Sequence, residues 1–396
     1  MTRLWDKGNS LDTRVLEYTA GDDHALDGRL VAYDILASIA HAEMLGEQKL
    51  LSAPDLVAIR AALTAIGEEH AQGKWRVSLE QEDCQTAIEN LLTARLGAAG
   101  GRLHAGRSRN DQVLAALRLY LRDAAQTLAQ GALAVAEALN ALAARHGDQE
   151  LPGYTHMQQA MPSSVALWAL GFAAELRDDA EGLLLTQRRI SKNPLGSAAG
   201  FGTPHLDIDR EATRRRLGFA VTQEPVTAVQ LSRGKAEAQL LFEITLLTQD
   251  LGRLAADLLL FYTREFAYVS LPEAFTTGSS IMPQKRNPDV FELMRGRSAV
   301  AHAALNEVLS ITQKLTSGYH RDLQLIKPPL FRAIDSCLQT LAILPDALNG
   351  VRFRPENIRL DPSIHAAAAA NALVAKEGIP FREAYRRVAA QLKDSE

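Results

Sequence analysis

Cysteine is scarce in this chain. Its 396 residues include only Cys84 and Cys337, which stand far apart and form no CxxC pair or disulfide-rich pattern. Disulfide scaffolds and zinc ribbons both need closely spaced sets of cysteines. The sequence therefore predicts two reduced, packed thiols in a cytoplasmic protein.

Long apolar segments and an excess of one charge are also missing. No run of about 18 uninterrupted apolar residues is present, and the first residues lack the apolar core of a signal peptide. The 43 basic and 47 acidic residues leave a net charge of -4, which argues against a broad electrostatic surface. We therefore expect neither nucleic acid nor a membrane as a partner.

Proline is absent from four long segments, residues 55–151, 163–193, 226–271 and 289–327. A proline in a helix interior costs roughly 3 kcal/mol, and these segments are rich in Ala, Leu, Glu, Gln and Arg, which favour helix. They predict an all-α protein whose long helices pack up and down as a bundle.

Apolar residues in two of these segments recur mainly at intervals of three and four, the spacing of one helix face. One stripe consists of Leu240, Ile244, Leu247, Leu251, Leu254, Leu258 and Phe261; the other consists of Leu114, Leu117, Leu121, Ala124, Leu128, Ala132, Val135, Leu139 and Leu142. The second stripe predicts a helix from about Asp111 to His146, roughly 54 Å long, that stops at Gly147.

This pattern predicts three regions: an N-terminal helical domain (1–107), a central long-helix bundle (108–352) and a short C-terminal helical domain (353–396). The polar loops should then gather at the two ends of the bundle. Residues 104–110, 194–226 and 317–329 are expected at one end, and residues 153–162 and 271–288 at the other.

Residues 277–288 read TGSSIMPQKRNP and lie between two predicted helices. On composition alone they could be an ordinary polar loop with a solvated Lys-Arg pair. The stretch resembles the GSSxMPxKxN signature of the aspartase/fumarase superfamily, whose members release fumarate from succinyl compounds. The MPQK-R-NPD version, followed by Glu292, is similar to the argininosuccinate lyase family.

Residues 104–112 read HAGRSRNDQ and directly precede the predicted long helix. Two arginines beside a helix N-terminus can bind a carboxylate, because guanidinium forks and backbone N–H groups point the same way. The string resembles the HTGRSRNDQ motif of argininosuccinate lyases. The resemblance implies that Arg109 and Asn110 bind substrate, with Arg107 and Ser108 supporting them.

Two further strings extend the resemblance. Gly153–Gln158 reads GYTHMQ, similar to the family's GYTHLQ, and implies that Thr155 binds substrate and that His156 transfers or relays a proton. Residues 319–327 read YHRDLQLIK and resemble a family motif that binds the arginine part of the substrate. That match implies substrate-binding roles for Tyr319, Gln324 and Lys327; Arg233 and Asp34 match substrate-contact positions more weakly.

The likeness runs from Leu4-Trp5 to Tyr385, with three departures from the family pattern. Gln85 stands where the family's E-D-x-H has histidine, and glutamine can form hydrogen bonds but cannot titrate. Ala105 replaces a threonine, and Gly234 follows Arg233 where an acid is common. These three departures concern the detailed contacts to substrate rather than the fold or the type of reaction.

The resemblance implies a lyase that splits argininosuccinate into arginine and fumarate without a cofactor or metal. Ser279 matches the general base, with Ser280 and Glu292 in support; Lys285 and Asn287 match the groups that stabilise the carboxylate intermediate. Because the predicted long helix would hold Arg109 and Ser279 roughly 50 Å apart in one chain, we expect the family's homotetramer, whose active sites combine loops from several subunits.

Two alternatives remain open at this point. Another fumarate-releasing lyase, such as one acting on adenylosuccinate, would share the 277–288 signature but not the strings at 107–112 and 319–327. A non-catalytic role is known for some family members that serve as lens proteins, and Gln85 and Ala105 could signal lost activity. Retention of Ser279, Lys285, Asn287 and His156 favours an active enzyme.

Overall fold

A computed structural model of the chain describes residues 12–393, and helices predominate in it. The prediction of an all-α fold is confirmed. Leu4 and Trp5, where the family resemblance begins, lie outside the described residues.

The first part of the chain forms six helices, several of them short. They are α1 (Thr13–Ala20), α2 (Asp23–Leu26), α3 (Val31–Glu47), α4 (Ala53–Ala71), α5 (Cys84–Leu96) and α6 (Ala98–Gly101). The caps follow from the sequence: Ser52 accepts a hydrogen bond from the backbone N–H of Asp55 at the start of α4, and Asp83 accepts one from Thr86 at the start of α5.

The remaining helices include the five longest of the described chain. They are α7 (Arg109–His146), α8 (Val165–Leu185), α9 (Gln187–Ile190), α10 (Arg210–Leu217), α11 (Thr227–Leu231), α12 (Lys235–Tyr262), α13 (Asp289–Thr312), α14 (Lys327–Gly350), α15 (Ala366–Glu377) and α16 (Phe381–Lys393). Short 3-10 helices occur at Asp27–Leu30, Leu79–Gln81, Arg102–His104, Glu273–Phe275, Arg321–Ile326, Pro355–Asn357 and Pro362–His365.

Helix α7 begins within two residues of the predicted start and ends at the predicted His146. Ser108 caps it, because its hydroxyl accepts from the N–H of Asn110 while the Asp111 carboxylate accepts from the N–H of Ser108. By length and composition α7 could cross a membrane, the one such helix among residues 12–393, but a core helix passes the same test. Every residue of its predicted apolar stripe is buried.

The predicted stripe on α12 is buried as well, with all seven residues at most 4% exposed. Helix α14 lies almost entirely outside the four proline-free segments, so those segments did not predict it. Pro328 and Pro329 occupy the first turn, where proline is tolerated. Pro345 lies inside the helix, where the buried Leu344 and Leu348 offset the lost backbone hydrogen bond.

Among the described residues, six short strands pair two by two. The pairs are antiparallel β1 (Glu150–Thr155) and β2 (Gln158–Ser164), parallel β3 (Lys192–Asn193) and β4 (Val221–Thr222), and antiparallel β5 (Val269–Ser270) and β6 (Arg352–Phe353). Residues 153–162, expected as a loop at one end of the bundle, lie in the β1/β2 hairpin. Each strand contains a proline, and apolar and polar residues alternate only weakly along it, so the sequence did not indicate the hairpin.

The described residues divide into two compact units. Unit 1 comprises residues 12–129, 181–245 and 299–337, and unit 2 comprises residues 130–180, 246–298 and 338–393. Unit 1 contains a core cluster around Leu119, Leu195 and Phe219, and unit 2 contains an aromatic cluster around Trp168, Phe261 and Phe353. The predicted division into domains at residues 107 and 352 stays a prediction.

Candidate functional site

The loop before α7 is locked by its own side chains. The carboxylate of Asp111 accepts hydrogen bonds from the backbone N–H groups of Ser108 (3.0 Å), Gly196 (3.0 Å) and Ala198 (2.8 Å). Gly196 and Ala198 have φ angles of 80° and 49°, so their N–H groups converge on one anion. The start of α7 is thereby tied to the glycine-rich 194–200 turn, which acts as a structural element.

Asp34 lies beneath this loop and is fully buried. Its carboxylate accepts hydrogen bonds from Gln85 (3.0 Å), Gln112 (3.1 Å) and Ser38 (3.2 Å), and Ser38 in turn accepts one from Arg107 (2.8 Å). Burial raises the pKa of Asp34, although Arg107 and these donors oppose the shift. The structure therefore places Asp34 and Arg107 in a buried network that reaches a neighbouring cavity through Gln85.

This cavity, the polar cavity of unit 1, has a volume of about 220 Å³. Six of the residues that the sequence resemblance implied as substrate contacts line it: Arg109, Asn110, Arg233, Tyr319, Gln324 and Lys327. The rest of the wall is formed by Asp23, Asp83, Gln85, Val113 and Arg321. Residues from five stretches of the sequence thus converge on one small, strongly charged space.

Two arginines of the polar cavity differ in how they are held. Arg109 contacts the carboxylates of Asp83 (2.9 Å) and Glu82 (3.3 Å). The guanidinium of Arg233 lies 6.0 Å from the ring centre of Tyr319, and its Nε and one terminal nitrogen are buried without a hydrogen-bond partner in the described chain. Because an unpaired buried donor is costly, Arg233 is poised to bind an anionic group.

Lys327 is 3% exposed and contacts two carboxylates, those of Asp23 (2.8 Å) and Asp27 (2.7 Å). Burial alone would lower the pKa of Lys327, but Asp27 and Asp23 outweigh it and raise that pKa. Burial raises the pKa of Asp23 to about 7, opposed by Lys327 and reinforced by Asp27. The cavity therefore ends in a three-membered ion cluster.

Sequence reasoning missed Asp23 and Asp27. Their spacing of four residues was a usable signal, since residues four apart share a helix face. Asp23 starts α2, and Asp27 follows at the start of a 3-10 helix, so both side chains reach Lys327. The sequence could not disclose Lys327 as their partner, 300 residues away.

The local structure explains why residue 234 is a glycine. Its φ is 86°, and a Cβ at this position would lie 2.6 Å from Cγ2 of Thr312. A side chain here would be strained by the backbone and blocked by α13. The glycine that departs from the family pattern therefore fits the local packing beside Arg233.

In unit 2, the predicted Thr155 and His156 lie at the tip of the β1/β2 hairpin. Thr155 pairs with Gln158, which leaves His156 and Met157 as a two-residue turn with φ angles of 51° and 61°. Two positive φ angles are the geometry of a type I′ turn, uncommon without glycine or asparagine. The hairpin thus projects an exposed His156 on a strained turn.

The signature loop, residues 277–288, is closed at its base. Thr277 and Asn287 exchange two backbone hydrogen bonds of 3.0 and 2.8 Å, and the Asn287 side-chain amide donates to the carbonyl of Gly278 (3.2 Å). Near the tip, the hydroxyl oxygen of Ser279 accepts from the backbone N–H groups of Met282 (3.2 Å) and Ile281 (3.4 Å). These two donors would favour a negative charge on Ser279.

Lys285 is exposed and forms no ion pair within residues 12–393. It lines an open groove of about 1090 Å³ in unit 2, together with Met157, Asn287 and Glu292. The groove brings the hairpin tip and the signature loop to one surface. Ser279, Ser280, Thr155 and His156 are not part of its lining.

Volume alone does not identify the site. A larger cavity of about 690 Å³ in unit 1 contains none of the predicted site residues; its polar wall includes Arg118, Arg188, Arg189, Lys192 and Lys235. Across residues 12–393, no cluster of three or more His, Cys, Asp or Glu side chains is arranged to hold a metal ion. The predicted site residues in its lining, rather than its volume, therefore identify the smaller polar cavity of unit 1 as the candidate site.

Comparison with known proteins gives a consistent result. A protein family described as Lyase matches residues 16–302. An argininosuccinate lyase of Sorangium cellulosum is 48% identical over 392 residues, 98% of this chain and 90% of that protein, and one of Stenotrophomonas maltophilia is 43% identical over 391 residues, again 98% and 90%.

The fold agrees with a solved structure. An EDDS lyase variant with bound fumarate superposes with a TM-score of 0.80 at 25% identity, covering 97% of this chain and 76% of the other. Together with the near full-length sequence identity above, these matches place the chain in the lyase family and, within it, among the argininosuccinate lyases.

Proposed function

We propose that the chain catalyses the reversible cleavage of argininosuccinate into L-arginine and fumarate. The observation that carries the proposal is the convergence of Arg109, Asn110, Arg233, Tyr319, Gln324 and Lys327 on the polar cavity. A cavity with both cations and carboxylates suits a substrate that carries three carboxylates, an ammonium and a guanidinium. A role in arginine biosynthesis in the cytoplasm follows as part of this proposal.

Within the polar cavity, Arg233 supplies unpaired donors for a substrate carboxylate. Arg109 and Asn110, at the start of α7, offer a second anion site with the helix N-terminus behind them. Asp34 is fully buried, so it contacts Gln85 rather than the substrate. Its role is to orient the Gln85 side chain in the cavity wall. These contacts would orient the succinyl and arginine parts before any bond breaks.

The chemistry begins with removal of a proton from the succinyl carbon next to a carboxylate, and Ser279 is the proposed base. The resulting carbanion places negative charge on that carboxylate, which Lys285 and Asn287 stabilise; one such donor is typically worth about 2.7–4 kcal/mol. The carbon–nitrogen bond then breaks, fumarate forms, and the electron pair remains on the guanidinium nitrogen. His156, or a group to which it relays, returns a proton there.

Serine is a weak base at its ordinary pKa, so the mechanism requires its alkoxide to be stabilised. The N–H groups of Ile281 and Met282 already point at the Ser279 oxygen. Lys285, six residues on, would add a positive charge when the signature loop closes over substrate.

We further propose a homotetramer whose active sites combine loops from several subunits. Large apolar side chains are exposed on the long helices, among them Leu167 (68%), Phe242 (48%) and Leu293 (60%). An assembly of subunits along the long helices would cover such side chains. The roughly 50 Å separation of Arg109 and Ser279 expected within one chain stays a prediction.

The test is to add argininosuccinate to purified protein and follow fumarate by ultraviolet absorbance, before and after chelator treatment. We expect turnover that chelation leaves undiminished. Activity only with adenylosuccinate would favour the other fumarate-releasing lyases. A folded protein that is inert toward every succinyl substrate would favour a non-catalytic family member.

A further inference from the structure

Asp23 lines the polar cavity although no sequence motif pointed to it. It starts the short helix α2, and its side chain is 12% exposed, which keeps it accessible through the cavity. Tyr319, Gln324 and Lys327, the three residues implied to bind the arginine part of the substrate, line the same cavity.

One oxygen of Asp23 is still available for a ligand. Its Oδ2 contacts Lys327 at 2.8 Å, while its Oδ1 has no hydrogen-bond partner among residues 12–393. Lys327 also contacts Asp27, so two of its three ammonium protons are engaged. A free acceptor on Asp23 therefore stands beside a free donor on Lys327.

An acceptor beside a donor matches the head group of an amino acid, in which an ammonium and a carboxylate sit on one carbon. Around Asp23 itself, Lys327 is opposed by two further carboxylates, Asp27 and Asp83, although Arg109, Arg233 and Arg321 also line the cavity. This local excess of carboxylates favours a cationic group next to Asp23 over a further anion at that point.

The segment that carries Asp23 is held in place by neighbours of Lys327. The Gln324 amide donates to the carbonyls of Thr19 (3.0 Å) and Ala20 (2.9 Å), and Arg321 donates to Thr19 (2.7 Å). These bonds fix the end of α1, just before α2. Because the acceptor is positioned before a ligand arrives, little ordering is needed on binding.

We propose that Asp23 accepts a hydrogen bond from the α-ammonium group of the substrate's arginine part and so selects amino acids over their desamino analogues. This inference rests on the proposed lyase function, whose product L-arginine carries that group. Asp23 is then a specificity-determining contact that adds to the contacts implied by the family resemblance.

Titration behaviour gives an independent readout. Burial raises the pKa of Asp23 to about 7, so near pH 7 a fraction of the free protein carries a neutral Asp23. An ammonium ligand beside its free oxygen lowers that pKa. Binding of L-arginine near pH 7 should therefore release protons, and a ligand without the ammonium should release fewer.

The experiment is an equilibrium titration of the full chain with L-arginine and with its desamino analogue, by calorimetry in two buffers of different ionisation enthalpy. Wild-type protein should prefer L-arginine by roughly 10- to 100-fold, the range expected for one charge-assisted hydrogen bond. Asp23→Asn and the smaller Asp23→Ser should both abolish most of this preference and the extra proton release. Asp22→Asn removes a carboxyl one residue away, on an exposed residue, and should retain both.

The outcomes separate this inference from the proposed function. Equal affinity of wild-type protein for the two ligands, or an Asp23→Asn protein that weakens both ligands alike, would overturn the role of Asp23 and leave only its pairing with Lys327. Failure to release fumarate from argininosuccinate would instead contradict the proposed function, and the titration would still decide what Asp23 recognises.

Discussion

The polar cavity of unit 1 and the signature loop of unit 2 are built in opposite ways. In the cavity, Lys327 is 3% exposed and contacts two carboxylates. In the loop, Lys285 is exposed and forms no ion pair in the part of the chain that the structure describes. The lysine of the cavity has its charge matched inside the fold, whereas the lysine of the loop has no ion-pair partner among the described residues.

Under the proposed function, this difference separates substrate recognition from chemistry. A binding site gains from charges that are fixed before substrate arrives, because less ordering is needed on binding. A loop that closes over substrate must open again, so it is drawn from the less stable parts of a structure. Substitutions in the two regions should therefore affect stability and turnover differently.

The largest expected effect is on stability. Lys327→Met leaves Asp23 and Asp27 buried and unbalanced, so we expect the free energy of unfolding to fall by about 3–5 kcal/mol. Lys285→Met is the matched control, since it removes the same group from an exposed site and should change that free energy by less than about 0.5 kcal/mol. Urea denaturation measures both; similar losses in the two variants would remove the contrast between the regions.

The next effect is on turnover alone. Ser279→Ala should lower kcat by on the order of 10²-fold or more, as expected for loss of a general base. Among the described residues its hydroxyl contacts two backbone N–H groups of an exposed loop, so the melting temperature should stay within a few degrees. A folded variant with wild-type kcat would exclude Ser279 as the base.

A third experiment asks whether the two regions act together across subunits. Arg109→Ala and Ser279→Ala should each be nearly inactive, and co-refolding them in equal amounts should restore about a quarter of wild-type activity. The fraction follows because a site that draws these residues from different chains has each native residue with probability one half. Hetero-oligomers that remain inactive would contradict the shared-site proposal.

The smallest effect concerns pH. His41 is fully buried, its Nε2 lies 2.9 Å from the carbonyl of Ala105, and burial together with Arg107 lowers its pKa well below 6.5. The unfolded chain then binds a proton below about pH 6.5 that the folded chain does not. Stability from this group is therefore present above that pH and lost as pH falls, by about 1 kcal/mol between pH 6.5 and 5.5.

His41→Gln should flatten this part of the pH dependence, as followed by urea denaturation at several pH values. His302→Gln, at an exposed position on α13, should leave the dependence unchanged. An unaltered slope in His41→Gln would mean that another group causes the loss of stability in acid.

Much of the fold could be predicted from local sequence. The apolar stripes on α7 and α12 could be predicted because the helical spacing of apolar residues indicates which face of a helix is buried. Helix α14 and the β1/β2 hairpin were missed because tertiary packing overrode local signals, as at Pro345 and at the tip residues His156 and Met157.

The sequence by itself determined the family and the residues of its motifs, because those strings are contiguous and chemically specific. Only the tertiary structure decided which of them meet. It brought Arg109, Arg233 and Lys327 to one cavity, and it placed Asp34 beneath that cavity rather than in its wall. It also paired Lys327 with Asp23 across some 300 residues of chain, because burying one charge requires an opposite charge that no local pattern can specify.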